Sequence, residues 1–162
     1  MLSDTHIGPG GPRRLPDVVY DELERAEAIL HAGDVVTGEL LDELEGFAPV
    51  HAVLGNNDRD LFGVLPETRE VLIGGVHIGL VHDSGSTVGR DARLARRFPA
   101  ARIVVYGHSH APENREVSTG QLLFNPGSPT QRRRQPHPTY GVLELADSRL
   151  VGHSVFVVPD AR

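Results

Sequence analysis

Cysteine is absent from this chain of 162 residues. That excludes a disulfide framework and every thiolate-based metal site, and it suits a reducing compartment. No apolar run approaches the ~18 residues that a membrane-crossing helix requires. A signal-peptide pattern is missing too, because a polar motif begins at Ser3. These absences point to a cytoplasmic protein with no membrane partner. Positive charge is also scarce: 16 Lys and Arg stand against 22 Asp and Glu, a formal net charge of −6. Non-specific nucleic-acid binding depends on clustered cations, so a nucleic-acid partner is disfavoured.

What is present is ordinary in bulk. Hydrophobic residues make up 39% and charged residues 23%, as in soluble globular proteins. The length suits one domain spanning 1–162, able to bury roughly 70% of the unfolded chain's surface. Apolar runs at 28–31, 50–54, 71–73, 76–81 and 102–106 read as strands, with Gly74-Gly75 as a hairpin turn. Helical spacing occupies 17–26, 39–45 and 89–98. This alternation implies parallel strands with right-handed crossovers. The last third turns antiparallel, with strands expected at 116–118, 121–124, 140–145 and 150–157. The expected architecture is α/β, with two packed sheets and helices outside them. Two loops, 8–14 and 128–138, are rich in Gly, Pro and Arg. A strand delivering Asp4 and His6 needs about five residues, yet only Met1 and Leu2 precede Ser3. That strand is therefore either a stub or begins upstream of residue 1.

Metal-type donors recur at strand ends. In order they are Asp4 and His6 in Ser3-Asp4-Thr5-His6, Asp34 after Gly33, Asn56 in Gly55-Asn56-Asn57-Asp58, His82 after 78–81, and His108 and His110 in Gly107-His108-Ser109-His110. Residues i and i+2 of a strand share a face, so Asp4 and His6 are expected to aim at one ion. A carboxylate at Asp34 can reach two cations, one per oxygen. Taken singly, most of these motifs read equally well as turn or packing residues. Together, hard oxygen donors plus imidazole suit a pair of divalent ions that activate water. His31, His51, His77, His137 and His153 read as structural or surface residues.

The series D-x-H, G-D, G-N-x-D, H and G-H-x-H resembles the calcineurin-like metallophosphoesterase superfamily. Asn125-Pro126-Gly127-Ser128 is similar to the small single-domain YfcE-like phosphodiesterase branch. The resemblance runs from Ser3 to about Leu145. It implies a four-layer αββα sandwich of two mixed sheets flanked by helices. It implies that Asp4, His6, Asp34 and His110 hold one metal, and that Asp34, Asn56, His82 and His108 hold a second. Manganese is the first expectation, with Fe, Zn and Ni also compatible. The implied activity is hydrolysis of small phosphate diesters by a hydroxide shared between the ions, and homo-oligomers are common in the branch. Many members carry His directly after the motif Asn, where it protonates the leaving group; here that residue is Asn57. Asn57 and Asp58 are the candidate catalytic residues beside the metals, and Arg59 and Arg13 the candidate phosphate contacts, along with Arg14 and 132–134. The competing readings are a protein-binding scaffold of the same fold, as in the retromer subunit, and a nuclease.

Overall fold

In a computed structural model, residues 1–11 and 13–159 are described; Pro12, in the loop expected at 8–14, lies outside them. Three apolar clusters divide the molecule into four layers. Strand neighbours alternate between clusters because successive side chains leave opposite faces of a strand. In β1 (Ile29–His31), Ile29 packs with helices α1 (Asp17–Leu23) and α2 (Gly38–Glu45), whereas Leu30 packs between the sheets. In β5 (Ile103–Tyr106), Ile103 and Val105 enter the inter-sheet core, whereas Val104 meets α3 (Arg90–Arg97) through Leu94 and nearby Phe98. In β7 (Leu122–Asn125), Leu122 and Phe124 face the other sheet and Leu123 faces α3's cluster. The result is the αββα sandwich.

One sheet has the order β3-β4-β5-β7-β6, with β3 (Thr68–Ile73) antiparallel to β4 (Val76–Val81), then β4, β5 and β7 parallel, and β6 (Glu113–Glu116) antiparallel to β7 at the edge. The other joins parallel β1 and β2 (Val50–Ala52) to the hairpin of β8 (Thr139–Ala146) and β9 (Arg149–Val157). The short segment Met1–Leu2 stitches them together. Leu2 N–H donates to Leu30 O at 2.9 Å, and Gly141 N–H donates to Met1 O at 3.1 Å. The parallel strands β1, β2, β4 and β5 all point their carboxyl ends the same way. Open α/β sheets place ligands at that edge, and every expected metal donor loop lies there or next to it.

Two sequence expectations are corrected. The strand expected to carry Asp4 and His6 on one face is a single bridge, Leu2 to His31. Asp4 and His6 instead adopt left-handed backbone, with φ 54° and 47°, so a turn and not strand alternation brings their side chains together. The strand expected at 116–118 lies earlier, as β6 (Glu113–Glu116), and Val117 opens the turn to Gln121. Its Glu-Asn-Arg-Glu sequence carries no apolar alternation because β6 is a charged sheet edge, a common guard against unwanted strand pairing. A one-turn 3-10 helix at Arg59–Leu61 was likewise unanticipated.

Candidate metal centre

Seven side chains from five loops converge into two groups. In the first, His6 Nε2 and His110 Nε2 face each other at 3.2 Å, and His110 Nε2 lies 3.3 Å from Asp4 Oδ1. In the second, Asn56 Oδ1 is 2.9 Å from His108 Nδ1 and 3.0 Å from His82 Nε2. Asp34 Oδ2 lies between the groups, 3.6 Å from His6 Nε2 and 3.5 Å from His82 Nε2. Donors about 2.1 Å from one ion stand about 3.0–3.4 Å apart at neighbouring coordination positions. The observed spacings fall in or near that range, so the residues fit two cations with Asp34 between them. Asp4 Oδ1 adds an independent sign, being a buried oxygen without a hydrogen-bond partner, a state proteins rarely tolerate.

The surroundings orient the donors. The Ala32 carbonyl lies 2.7 Å from His82 Nδ1, and the Gln131 carbonyl lies 2.5 Å from His110 Nδ1. A ring donating Nδ1–H to such a carbonyl presents Nε2 as a lone pair. Burial holds the His110 imidazole down at about 4 and also lowers His6, so both stay neutral and ready to ligate. Burial pushes the Asp4 carboxyl up to about 6, against the opposing pull of the Ser3 hydroxyl. Burial would also raise Asp34, but the hydrogen bonds from Asn57 and the nearby imidazoles outweigh it and keep that carboxylate charged.

Backbone strain marks the same residues. Asp4, His6, Asp34, His108 and His110 all have positive φ, between 47° and 69°. Such conformations cost on the order of 1–3 kcal/mol and gather at functional sites. The close approach of the loops also demands glycine. A Cβ on Gly107 would sit 1.9 Å from Ser3 Oγ, and one on Gly55 would sit 2.1 Å from the Asp34 nitrogen.

The other candidate residues are placed as follows. Asn57 does not stand free: its backbone N–H donates to Asp34 Oδ1 at 2.8 Å and its Nδ2 to Oδ2 at 2.7 Å. Asp58 is fully buried, and its carboxylate accepts from the backbone of Asp34, Val36 and Gly55 at 3.0, 2.7 and 2.7 Å. Both oxygens are thus engaged, and the expected catalytic role gives way to that of a clip between two donor loops. Charged hydrogen bonds contribute about 1.5–3 kcal/mol each. Asp58→Ala is therefore expected to destabilise the fold by about 3–5 kcal/mol in urea unfolding; an unchanged midpoint would refute the clip. Arg13 donates to His6 O at 2.7 Å beside the first group, whereas Arg59 is exposed at the start of the 3-10 helix. Asp83, directly after His82, is no part of either group: it accepts from Gly85 N–H at 2.7 Å in a local turn.

Several residues quoted within the sequence motifs had been given no role at the site. Ser3 Oγ donates to Asp4 Oδ2 at 2.6 Å, and Ser128 Oγ donates to Asp4 O at 2.7 Å. Asn125 Nδ2 donates to Gly107 O at 3.1 Å, steadying the loop with His108 and His110. The Asn125–Ser128 motif therefore props the donor loops; the sequence marked it only as a motif of the resembling branch and gave it no place at the site.

A family profile described as a calcineurin-like phosphoesterase superfamily domain matches residues 1–148. The chain is 36% identical over 154 residues to a protein of Methanothermobacter thermautotrophicus named "Probable metallophosphoesterase", covering 93% of this chain and 87% of that one. It is 35% identical over 141 residues to a second such protein, from Methanocaldococcus jannaschii, covering 82% and 68%. Among solved structures, zinc-complexed wild-type Vps29 of Entamoeba histolytica is similar, with 29% identity, a TM-score of 0.76, and coverage of 97% and 96%.

Proposed function

The chain belongs to the calcineurin-like phosphoesterase superfamily, and from that premise we propose that it is a dinuclear-metal-dependent phosphodiesterase acting on small phosphate esters. The observation that carries this reading is the position of Asp34 Oδ2 between two donor groups, 3.6 and 3.5 Å from an imidazole of each. The donor set of carboxylate, amide oxygen and imidazole suits Mn²⁺ first, and also Fe, Zn²⁺ and Ni²⁺. Two such ions supply the Lewis acidity that activates water and offsets charge on the phosphoryl oxygens.

The chain's own residues do the rest. Asp4, His6 and His110 hold one side of the centre, and Asn56, His82 and His108 the other. Asn57 holds both oxygens of Asp34 in place. Arg13 brings a guanidinium to the rim of the first group, where a fork of N–H donors can grip a phosphate oxygen. Arg133 acts on His6 and His110 through its charge, so two cations border this side. Arg13→Ala is expected to raise KM for a diester about 3- to 10-fold with little change in kcat. A loss confined to kcat would instead assign Arg13 to the chemical step.

The test of the whole reading is metal content combined with turnover of a chromogenic aryl diester. About two transition-metal ions per chain, with activity abolished by chelation and restored by Mn²⁺, is the expected result. A second reading, a non-catalytic scaffold, draws on the likeness to Vps29. Bound metal without turnover of any phosphate ester would select it. Cleavage of single-stranded DNA in preference to small diesters would select a nuclease, against the formal charge of −6.

A further inference from the structure

Gln131 belongs to a loop that is firmly held. Its backbone N–H donates to Ser128 Oγ at 2.9 Å, and its carbonyl lies 2.5 Å from His110 Nδ1. The same loop is tied to the first donor loop, by Ser128 Oγ to Asp4 O at 2.7 Å and by Thr130 Oγ1 to Thr5 O at 2.6 Å. From this platform the Gln131 side chain reaches Arg13. Turned with its amide oxygen towards the guanidinium, as the surrounding donors require, it accepts from Arg13 Nη1 at 2.8 Å and Nη2 at 3.0 Å. Arg13 comes from the opposite kind of segment. Its loop, 8–14, is rich in Gly and Pro. Among the described residues a single backbone hydrogen bond lies within that loop, Gly11 N–H to Gly8 O at 3.3 Å. A guanidinium on so sparsely bonded a segment otherwise samples many rotamers, and gripping an anion has to freeze them.

The contacts leave one edge of the guanidinium open. Nη1 carries two protons, enough for His6 O at 2.7 Å and for Gln131. One Nη2 proton also goes to Gln131. The Nε–H and the second Nη2–H lie side by side on the remaining edge and meet no acceptor among the described residues. Two parallel N–H groups match two oxygens of a phosphate. Both anchors belong to the first donor group's surroundings, His6 as one of its donors and Gln131 as the residue whose carbonyl orients His110, so the fork stands at that rim. We propose that Gln131 is a positioning residue, which holds Arg13 as a ready-made fork for phosphate oxygens and so sets how tightly the centre takes an ester. For its substrate the inference rests on the phosphodiesterase reading above; for the order of Arg13 it rests on the hydrogen bonds alone. Gln131 touches no reacting atom. Order present before binding favours ground and transition states alike, so it acts on KM and leaves kcat alone.

The test is a double-substitution cycle of Arg13→Ala and Gln131→Met. Methionine keeps the side chain's length and the backbone carbonyl on His110 but removes the acceptor. Each Mn²⁺-loaded protein is read by KM and kcat on the chromogenic aryl diester and by calorimetric Kd for inorganic phosphate. Nitrogen-15 relaxation of the Arg13 Nε–H, with no metal added, reports its order independently of turnover. Gln131→Met alone is expected to raise KM and the phosphate Kd about 2- to 5-fold with kcat unchanged. It should have no further effect beside Arg13→Ala, and it should turn a rigid Nε–H into a mobile one. Equal losses from Gln131→Met with and without Arg13 would overturn the proposal, because a general loosening of the loop acts whatever stands at position 13. So would an Nε–H that is already mobile in the unmodified chain, or a chain that binds no phosphate. Failure of the phosphodiesterase reading looks different: no ester is turned over, yet phosphate binding still responds to Gln131→Met only where Arg13 is present, which upholds the role of Gln131.

Discussion

Asp34→Ala is expected to lower metal-dependent diester hydrolysis by on the order of 10³-fold or more. The size follows from position. Asp34 Oδ2 stands 3.6 Å from His6 Nε2 and 3.5 Å from His82 Nε2, so truncation removes a donor from both groups at once. A two-ion clamp supplies several kcal/mol of charge stabilisation, and each ~1.4 kcal/mol is tenfold in rate. The same change leaves the Asn57 N–H and Nδ2 without their acceptors, which loosens the Gly55–Asp58 loop. Two readouts separate the causes. Metal content should fall from about two ions per chain to one or fewer, while the thermal midpoint moves far less than in Asp58→Ala. Retention of full activity with two bound ions would end the assignment of Asp34 as the shared ligand.

The second large effect concerns the leaving group. Position 57 carries an amide, which cannot deliver a proton to a departing alkoxide, and its Nδ2 is occupied with Asp34 Oδ2. General-acid help is worth roughly 10²–10⁴-fold. An aryl diester, whose phenolate leaves without a proton, should therefore be cleaved at least about 10³-fold faster than an alkyl diester of similar size. Asn57→His should narrow this ratio by raising the alkyl rate. Comparable rates on both esters in the unmodified protein would show that another group supplies the proton.

Much of the side-chain cluster was legible because a donor set of this kind restricts residue choice. Imidazoles and carboxylates at successive strand ends have few other reasons to occur in that order, and the structure gathers those side chains within a few ångströms. The layered sandwich was legible for a similar reason: runs such as Ile103–Tyr106 are apolar on both faces, as a strand covered on both sides requires. Other features left no mark on the one-dimensional pattern. The left-handed turns at Asp4 and His6 replaced the expected strand, since nothing local in Asp-Thr-His specifies positive φ. Asp58 looked like a reactive carboxylate because its three backbone partners, at Asp34, Val36 and Gly55, come from two separate loops. The Ala32 and Gln131 carbonyls that aim the rings of His82 and His110 are main-chain atoms, which any residue could provide. β6 was misplaced because an exposed, polar and charged edge lacks the apolar period that reveals buried strands.

The positive φ at Asp4, His6, Asp34, His108 and His110 sets durability against activity. At His6, His108 and His110, whose rings do not hold neighbouring backbone N–H groups as the Asp4 and Asp34 carboxylates do, glycine or asparagine relaxes the backbone more fully than the residue present. Laboratory evolution for heat resistance alone should therefore drift towards those replacements and erase the donors one by one. The sandwich would keep its layers while these imidazoles, and the chemistry they serve, were lost.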